Sequence, residues 1–188
     1  AVQNMPGAGS VTAANYVWGV AKPDGLTLLA PHNNFYLAQL SGQKEVKFDL
    51  TKFQWIGSLE NDDMIMFARA DAPFRSVADI IRSKEPPKCG STGVGSSDYV
   101  MSKILEETVG MKVNHVTGYP GSSEIALAME RGEVACMGLT IATYHGREPF
   151  LSWLKTKCVR FRAQSGHKRS PRSPDAPTIY ELMDEYKT

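Results

Sequence analysis

An α/β fold built on a mostly parallel sheet is predicted for this 188-residue chain by two features of its order. Apolar runs of strand length alternate with amphipathic helical stretches. Two of the strand-to-helix junctions are Gly/Ser loops, Cys89-Gly-Ser-Thr-Gly-Val-Gly-Ser-Ser-Asp98 and Val116-Thr-Gly-Tyr-Pro-Gly-Ser-Ser-Glu124. Strand, loop, helix and strand in succession argue for right-handed βαβ units. A hydrophobic content of 42% against 22% charged residues suits a globular chain long enough for one sizeable core or two small lobes.

The elements follow in order. Met5-Pro-Gly-Ala-Gly9 reads as a turn and Ser10 as the N-cap of a helix over 11–21, with Val11, Ala14, Val17 and Val20 at helical spacing and Pro23-Asp-Gly25 as its stop. Residues 26–30 read as a strand, and Pro31-His-Asn-Asn34 lies at its C-terminal end, where open α/β sheets place ligands. Residues 53–57 and 64–70 read as further strands. Ser76 opens a helix over 77–82, with Asp79 completing a capping box. A strand at 88–90, a helix at 97–109, a strand at 113–116 and a helix at 122–131 closed by Gly132 come next. The series ends with a strand at 134–139, a helix at 151–155, a strand at 159–164, a basic surface loop at 166–174 and a helix at 179–186.

Each Gly/Ser loop ends on a helix N-terminus. The unsatisfied N–H groups there carry about half a positive charge and stabilise a carboxylate or phosphate without a formal cation. In the first loop Gly93 and Gly95 let the backbone approach an anion while Ser91, Thr92, Ser96 and Ser97 add hydroxyls; in the second, Gly118 and Gly121 stand beside Tyr119, Ser122 and Ser123. Two such loops in one sheet point to capture of a small acidic ligand, while either loop alone reads equally as a well-capped helix start. The run Gly90-Ser-Thr-Gly-Val-Gly95 is not a nucleotide loop, because no Gly-Lys-Ser/Thr follows and no acidic residue stands about 20 positions on in a strand. A serine hydrolase would pair a loop serine with His115 or His145, yet no Gly-x-Ser-x-Gly elbow is present. Asp62-Asp63 reads as a loop or strand cap, and His167-Lys-Arg169 with Arg172 as a solvated turn without the aromatic interleaving of a nucleic-acid surface.

Charge and cysteine usage narrow the classes further. The 21 Lys and Arg against 20 Asp and Glu leave a formal net charge of +1, so no global field favours nucleic acid or an anionic membrane. No apolar run approaches the roughly 20 residues that span a bilayer. The three cysteines, Cys89, Cys136 and Cys158, lack CxxC or Cys/His spacing, so no metal is expected. Cys89 and Cys136 sit at strands, where a small buried thiol is the ordinary role; a disulfide between them is the alternative.

Several segments carry a family resemblance. Asn4-Met-Pro-Gly-Ala-Gly-Ser10, Ala13-Ala-Asn-Tyr-Val17 and Pro23-Asp-Gly-Leu-Thr-Leu-Leu29 open the pattern. Phe48-Asp-Leu-Thr-Lys-Phe-Gln-Trp-Ile-Gly-Ser58, the loop 90–97, Gly118-Tyr-Pro-Gly121 through Glu130-Arg-Gly-Glu-Val134, and Lys168-Arg-Ser-Pro171 with Pro174-Asp-Ala-Pro-Thr178 continue it. In order and spacing these resemble the extracytoplasmic solute receptors of the tripartite tricarboxylate transporter family, the Bug receptors, over essentially the whole chain.

The resemblance implies a type II periplasmic binding fold, with two lobes that close on a small carboxylate and present it to the membrane permease subunits of the transporter. It further implies a periplasmic location, no enzymatic activity, no cofactor and no nucleic-acid partner. His32, Asn33 and Asn34 would belong to the first lobe, while Ser91, Thr92, Gly95 and Ser96 with Tyr119, Gly121, Ser122 and Ser123 would line the second. The carboxylate ends would be held by backbone N–H groups, hydroxyls and bridging waters rather than by a dominant arginine. Residues 1–70 would form part of the first lobe, 71–157 the second, and 158–188 a strand and helix returning to the first, with crossings near 64–70 and 159–164.

The chain departs from the family pattern in three places. A strand, a Gly-rich ligand loop and a helix usually precede the Asn-x-Pro-Gly-Ala-Gly pattern, and further elements usually follow the Pro177-Thr-Ile-Tyr-Glu-Leu182 helix, so the first lobe is expected to be incomplete. Ala135 stands where an aspartate usually follows Gly-Glu-Val, with Cys136 and Met137 after it. An incomplete sheet exposes strand edges and apolar surface. An oligomeric scaffold with swapped or edge-paired strands is therefore the alternative to a receptor, and a serine hydrolase the more remote one.

Overall fold

The computed structural model describes residues 1–32, 35–58 and 62–186. Residues 1–58 carry α1 (Val11–Gly19) and α2 (Tyr36–Leu40), and among the described residues of this part there is no strand. From residue 62 the chain alternates β1 (Met64–Arg69), α3 (Val77–Arg82), β2 (Lys88–Gly90), α4 (Ser97–Val109), β3 (Asn114–Val116) and α5 (Ser122–Glu130). It continues through β4 (Cys136–Thr140), α6 (Ile141–Gly146), α7 (Phe150–Thr156), β5 (Val159–Gln164) and α8 (Ile179–Tyr186). The strands form a sheet in the order β3-β2-β4-β1-β5. β2 pairs in parallel with β3 and β4, and β1 runs antiparallel to β4 and β5, so four strands share a direction that β1 alone opposes. The α/β class and the mostly parallel sheet are those the sequence predicts.

β1 shows why the sheet is buried on both sides. Successive side chains of a strand point to opposite faces. Met64, Met66 and Ala68 accordingly join one cluster with Val77 and Ile80 of α3, Leu105 of α4 and Leu182 of α8. Ile65 and Phe67 join a second with Ile125 of α5, Tyr144 of α6 and Trp153 of α7. The Phe67 ring centroid lies 4.9 Å from Tyr144, 6.4 Å from Phe150 and 6.2 Å from Trp153. Phe67→Ala is therefore expected to cost about 3–5 kcal/mol, read as a lower urea midpoint at an unchanged slope.

Local signals set several boundaries. At α3, Ser76 Oγ accepts from Asp79 N at 3.2 Å and Asp79 Oδ2 accepts from Ser76 N at 2.9 Å, the reciprocal cap. Gly110 closes α4 in the left-handed region at φ 74°, where a side chain would be strained. Asp62 Oδ2 accepts from Ala142 N at 2.5 Å and Asp63 Oδ1 from Ser165 Oγ at 3.1 Å, so this pair caps the start of α6 and the residue that follows β5.

Three expectations are corrected. Residues 26–30 and 53–57 are not strands: no described neighbour supplies a ladder, and Leu26 and Ile56 are 85% and 83% exposed. Alternating apolar residues make a segment ready to be a strand, but only a hydrogen-bonding partner makes it one. Ser10 does not cap α1; it adopts φ 78° and its hydroxyl accepts from His32 N at 2.9 Å instead. Cys89 and Cys136, register partners on β2 and β4, are joined as a disulfide with a Cα separation of 4.5 Å, leaving exposed Cys158 as the free thiol.

Residues 1–58 pack around a cluster of their own. Val11, Ala14, Phe35, Ala38 and Phe48 are buried together, and Phe53 lies within ring contact of Trp18, Phe48 and Trp55. At the other end, β5 adds to the sheet beside β1, with Ile65 opposite Gln164, and α8 packs against α4. The buried Gln164 side chain donates to Ser173 O at 3.1 Å and Ala176 O at 2.5 Å and accepts from Ser170 N at 2.8 Å, which shapes the basic loop.

Candidate functional site

Parallel pairing decides where the site lies. Because β2, β3 and β4 run the same way, the chain leaves all three at one edge of the sheet, where α4, α5 and α6 begin. The first two loops are tied to each other, Ser91 N donating to Val116 O at 2.9 Å and Tyr119 N to Ser91 O at 3.4 Å. Between these helix starts and residues 5–10 of the N-terminal part lies a cavity of about 350 Å³. Gly138 on β4 forms part of its floor, and a Cβ there would stand 3.1 Å from the Asp98 Cα. A side chain at 138 would thus lift α4 off the sheet.

The N-terminal part closes over this edge through two close contacts. His32 Nδ1 lies 2.9 Å from Ser97 Oγ, while its own N–H is held by Ser10 Oγ. The loop around Gly9 meets the loop 93–96 backbone to backbone: a Cβ on Gly9 would stand 3.2 Å from Ser96 N, and one on Gly93 would stand 3.3 Å from Ala8 Cα. The glycines of the first loop were expected to admit an anion. Gly93 instead admits the neighbouring loop.

Of the predicted site residues, His32, Thr92, Gly121 and Ser122 line the cavity. Asn33 and Asn34 lie outside the described residues. Ser91, Gly95, Ser96, Tyr119 and Ser123 do not line it. Ser91 is 1% exposed, and its hydroxyl has no hydrogen-bond partner among the described residues. Ser96 turns its hydroxyl back towards Gly93 O at 2.7 Å, which bends the loop inward. Gly95 faces the Gln43 amide, Tyr119 packs against the second core cluster, and Ser123 is exposed on α5. His115 packs on the Tyr99 ring and His145 Nε2 lies 3.2 Å from Ser173 Oγ, so neither pairs with Ser96 or Ser122.

Two charged residues of the cavity were missed. Arg147, at the end of α6, lines it and donates through Nη2 to Ser122 Oγ, so a guanidinium stands where only N–H groups, hydroxyls and waters were expected. Asp98, in the first turn of α4, lines it as well. Burial pushes the Asp98 carboxyl up from the ordinary aspartate value, against hydrogen bonds from Ser96 and the Tyr99 N–H and the nearby His32. Thr140, whose hydroxyl accepts from Thr143 N at 3.3 Å, begins α6 directly after β4. A threonine three residues before another polar residue at the end of an apolar strand was the available signal for that helix. Among the described residues no group of three or more His, Cys, Asp or Glu could hold a metal ion, and no helix is long and apolar enough to cross a membrane.

Comparison with known proteins places this geometry in a lineage. The pattern of the family described as tripartite tricarboxylate transporter family receptor matches residues 1–187. A Cupriavidus necator protein described as UPF0065 protein in gbd 5'region is 28% identical over 186 residues, which are 96% of this chain and 54% of that protein. The periplasmic binding protein BugD superposes with a TM-score of 0.81 at 23% identity, over 99% of this chain and 60% of its own. MatC from Rhodopseudomonas palustris with bound malate superposes with a TM-score of 0.53 at 18% identity, over 66% of this chain and 42% of its own. The chain therefore spans little more than half the length of the curated relative and three fifths of BugD.

Proposed function

Because this chain belongs to the tripartite tricarboxylate transporter receptor family, we propose that it is the ligand-holding part of a periplasmic receptor that captures a small carboxylate and delivers it to the permease subunits of such a transporter. The family is one of receptors, not of enzymes. The observation that carries the reading is the cavity itself, in which Ser97 at the start of α4, Gly121 and Ser122 at the start of α5, the loop residue Thr92 and the Arg147 guanidinium converge opposite His32 and Ser10. Helix starts and a guanidinium both favour an anion. The malate of MatC is a ligand of this kind. A ligand touching both walls shifts an open and closed equilibrium by its extra contacts in the closed state. His32 with Ser97 and the two abutting loops are the contacts that closure makes.

A thermal-shift screen against mono-, di- and tricarboxylates tests the reading. A ligand held at 100 times its Kd stabilises the native state by about 2.7 kcal/mol, so a saturable rise in melting temperature is the expected result and a flat response across the panel defeats it. Arg147→Met is expected to weaken the best carboxylate about 100-fold, since a hydrogen bond to a charged group contributes roughly 1.5–3 kcal/mol. An unchanged Kd would remove Arg147 from the site. The melt of the unliganded variant should stay put, because Arg147 is exposed.

A second reading rests on the exposed Leu26, Leu28, Trp55 and Ile56, an apolar surface of the sort that associates. It is a scaffold in which a neighbouring copy covers these residues. Sedimentation at micromolar to millimolar protein separates the two: a scaffold grows in mass with concentration and ignores carboxylates.

A further inference from the structure

A second cavity lies at the other end of the sheet. β1 runs against its neighbours, so Met64 at its start borders the first cavity while Arg69 at its end stands where β4 and β5 begin. The length of β1 puts the two spaces roughly 17 Å apart. The second space measures about 730 Å³, well inside the roughly 300–1,000 Å³ of small-molecule sites. One wall is a single face of α7, with Ser152, Trp153 and Thr156 at helical spacing, and the other is Met129 and Glu130 at the end of α5. The charges of the lining are not equivalent. Arg69 is fully engaged: Nε and Nη2 donate to the two Asp71 carboxylate oxygens at 2.9 and 2.5 Å, and Nη1 donates to Met129 O at 3.0 Å. Glu130 accepts the Trp153 indole N–H at 3.1 Å, and among the described residues no lysine or arginine forms an ion pair with it. The lining thus sets one carboxylate without a counter-charge beside apolar walls and leaves no cation without one. An anion entering here would find the guanidinium occupied and would lose hydration without compensation.

We propose that this cavity is a second ligand site, for a small amine with an apolar body. The ring or chain lies between Trp153 and Met129, and the ammonium meets Glu130. Apolar burial supplies the affinity, while Glu130 sets the sign of the charge that is accepted and turns away the anion of the same shape. The site shares no lining residue with the first cavity, so its occupant does not compete with a carboxylate, and its existence does not depend on the carboxylate reading. Cys158 lines it and is the free thiol of the chain, which provides a built-in reporter of occupancy.

The test is calorimetric titration of the full chain with three probes of one shape: 2-phenylethylamine, 2-phenylethanol and 3-phenylpropionate, which carry a cation, a hydroxyl and an anion on the same ring and linker. The amine is expected to bind saturably and about 5-fold more tightly than the alcohol, the upper range for an exposed ion pair. Alkylation of Cys158 by iodoacetamide should slow about 10-fold with the amine at 10 times its Kd, and 3-phenylpropionate should leave that rate unchanged. Ser152→Trp and Thr156→Trp, at exposed positions one turn apart on the same face of α7, fill the space, and each is expected to abolish amine binding while the near-UV circular dichroism of the fold persists. Glu130→Gln keeps an acceptor for the indole and is expected to equalise amine and alcohol. If neither amine nor alcohol binds or protects Cys158, or if binding survives both tryptophan variants, the site is overturned. If the alcohol or the propionate matches the amine at Cys158, or if Glu130→Gln leaves the ratio unchanged, the assignment to amines is overturned.

Discussion

Loss of the Cys89–Cys136 bond is expected to lower the melting temperature by roughly 8–16 °C, the effect of about 4 kcal/mol on a chain of this size. The estimate follows from the 47-residue separation that the bond closes, because cross-linking a loop of that length removes much of the freedom of the unfolded chain. The bond joins β2 to β4, and both half-cystines are buried. Its loss should therefore also loosen the edge from which α4 and α6 start. Calorimetry of the oxidised protein against its reduced form and against Cys89→Ala with Cys136→Ala measures the effect. Cys158→Ser belongs in every sample to prevent cross-links through the exposed thiol. Melting temperatures that agree within a degree or two would show that the strands are held by packing alone.

Gly93→Leu should abolish ligand binding, by about 100-fold or more in Kd, without unfolding the protein. The Cβ alone would stand 3.3 Å from Ala8 Cα and 3.5 Å from Gly9 N, both backbone atoms that cannot swing aside. The leucine would hold the two loops apart, and a site built from both walls would no longer assemble. A loss of 100-fold corresponds to about 2.8 kcal/mol, which the ligand must spend on an opened cavity. Gly19→Ala, at a position with nothing within 4 Å of the new Cβ, is the control and should bind normally. Native affinity in Gly93→Leu, measured by titration, would mean that the ligand is held by the sheet side alone.

Elements whose signals are local were legible in the sequence. The span of α4 and the Ser76 and Asp79 cap of α3 depend on residues within a turn of each other, and both lie where the pattern put them. Residues 26–30 and 53–57 failed for the converse reason: a strand is defined by a partner, and period-two apolarity says nothing of whether one is near. α6 was missed because it is six residues long and starts directly on β4, with no loop to announce it. The site divides along the same line. Gly121 and Ser122 line the cavity because they begin α5, and the start of a helix is written in its own residues. Ser96 and Gly95 stand off the cavity lining because the Ser96 hydroxyl folds back on Gly93, a contact that sequence order does not reveal. Arg147 was invisible because it follows the helix that was missed, and Asp98 because one carboxyl in a first turn reads as dipole complement until a cavity is seen beside it.

The placement of the tryptophans separates the two parts of the chain optically. Trp18 and Trp55, 38% and 64% exposed, belong to the aromatic group of residues 1–58, whereas Trp153 is 6% exposed on the inner side of α7 and donates its indole N–H to Glu130 at 3.1 Å. Emission from the first two should be red-shifted and readily quenched by iodide, and that from the third blue-shifted and protected. Two tryptophan-depleted versions, Trp153→Phe retaining the wet pair and Trp18→Phe with Trp55→Phe retaining the dry one, would then let a stopped-flow instrument time the movement of each part separately, with no dye attached.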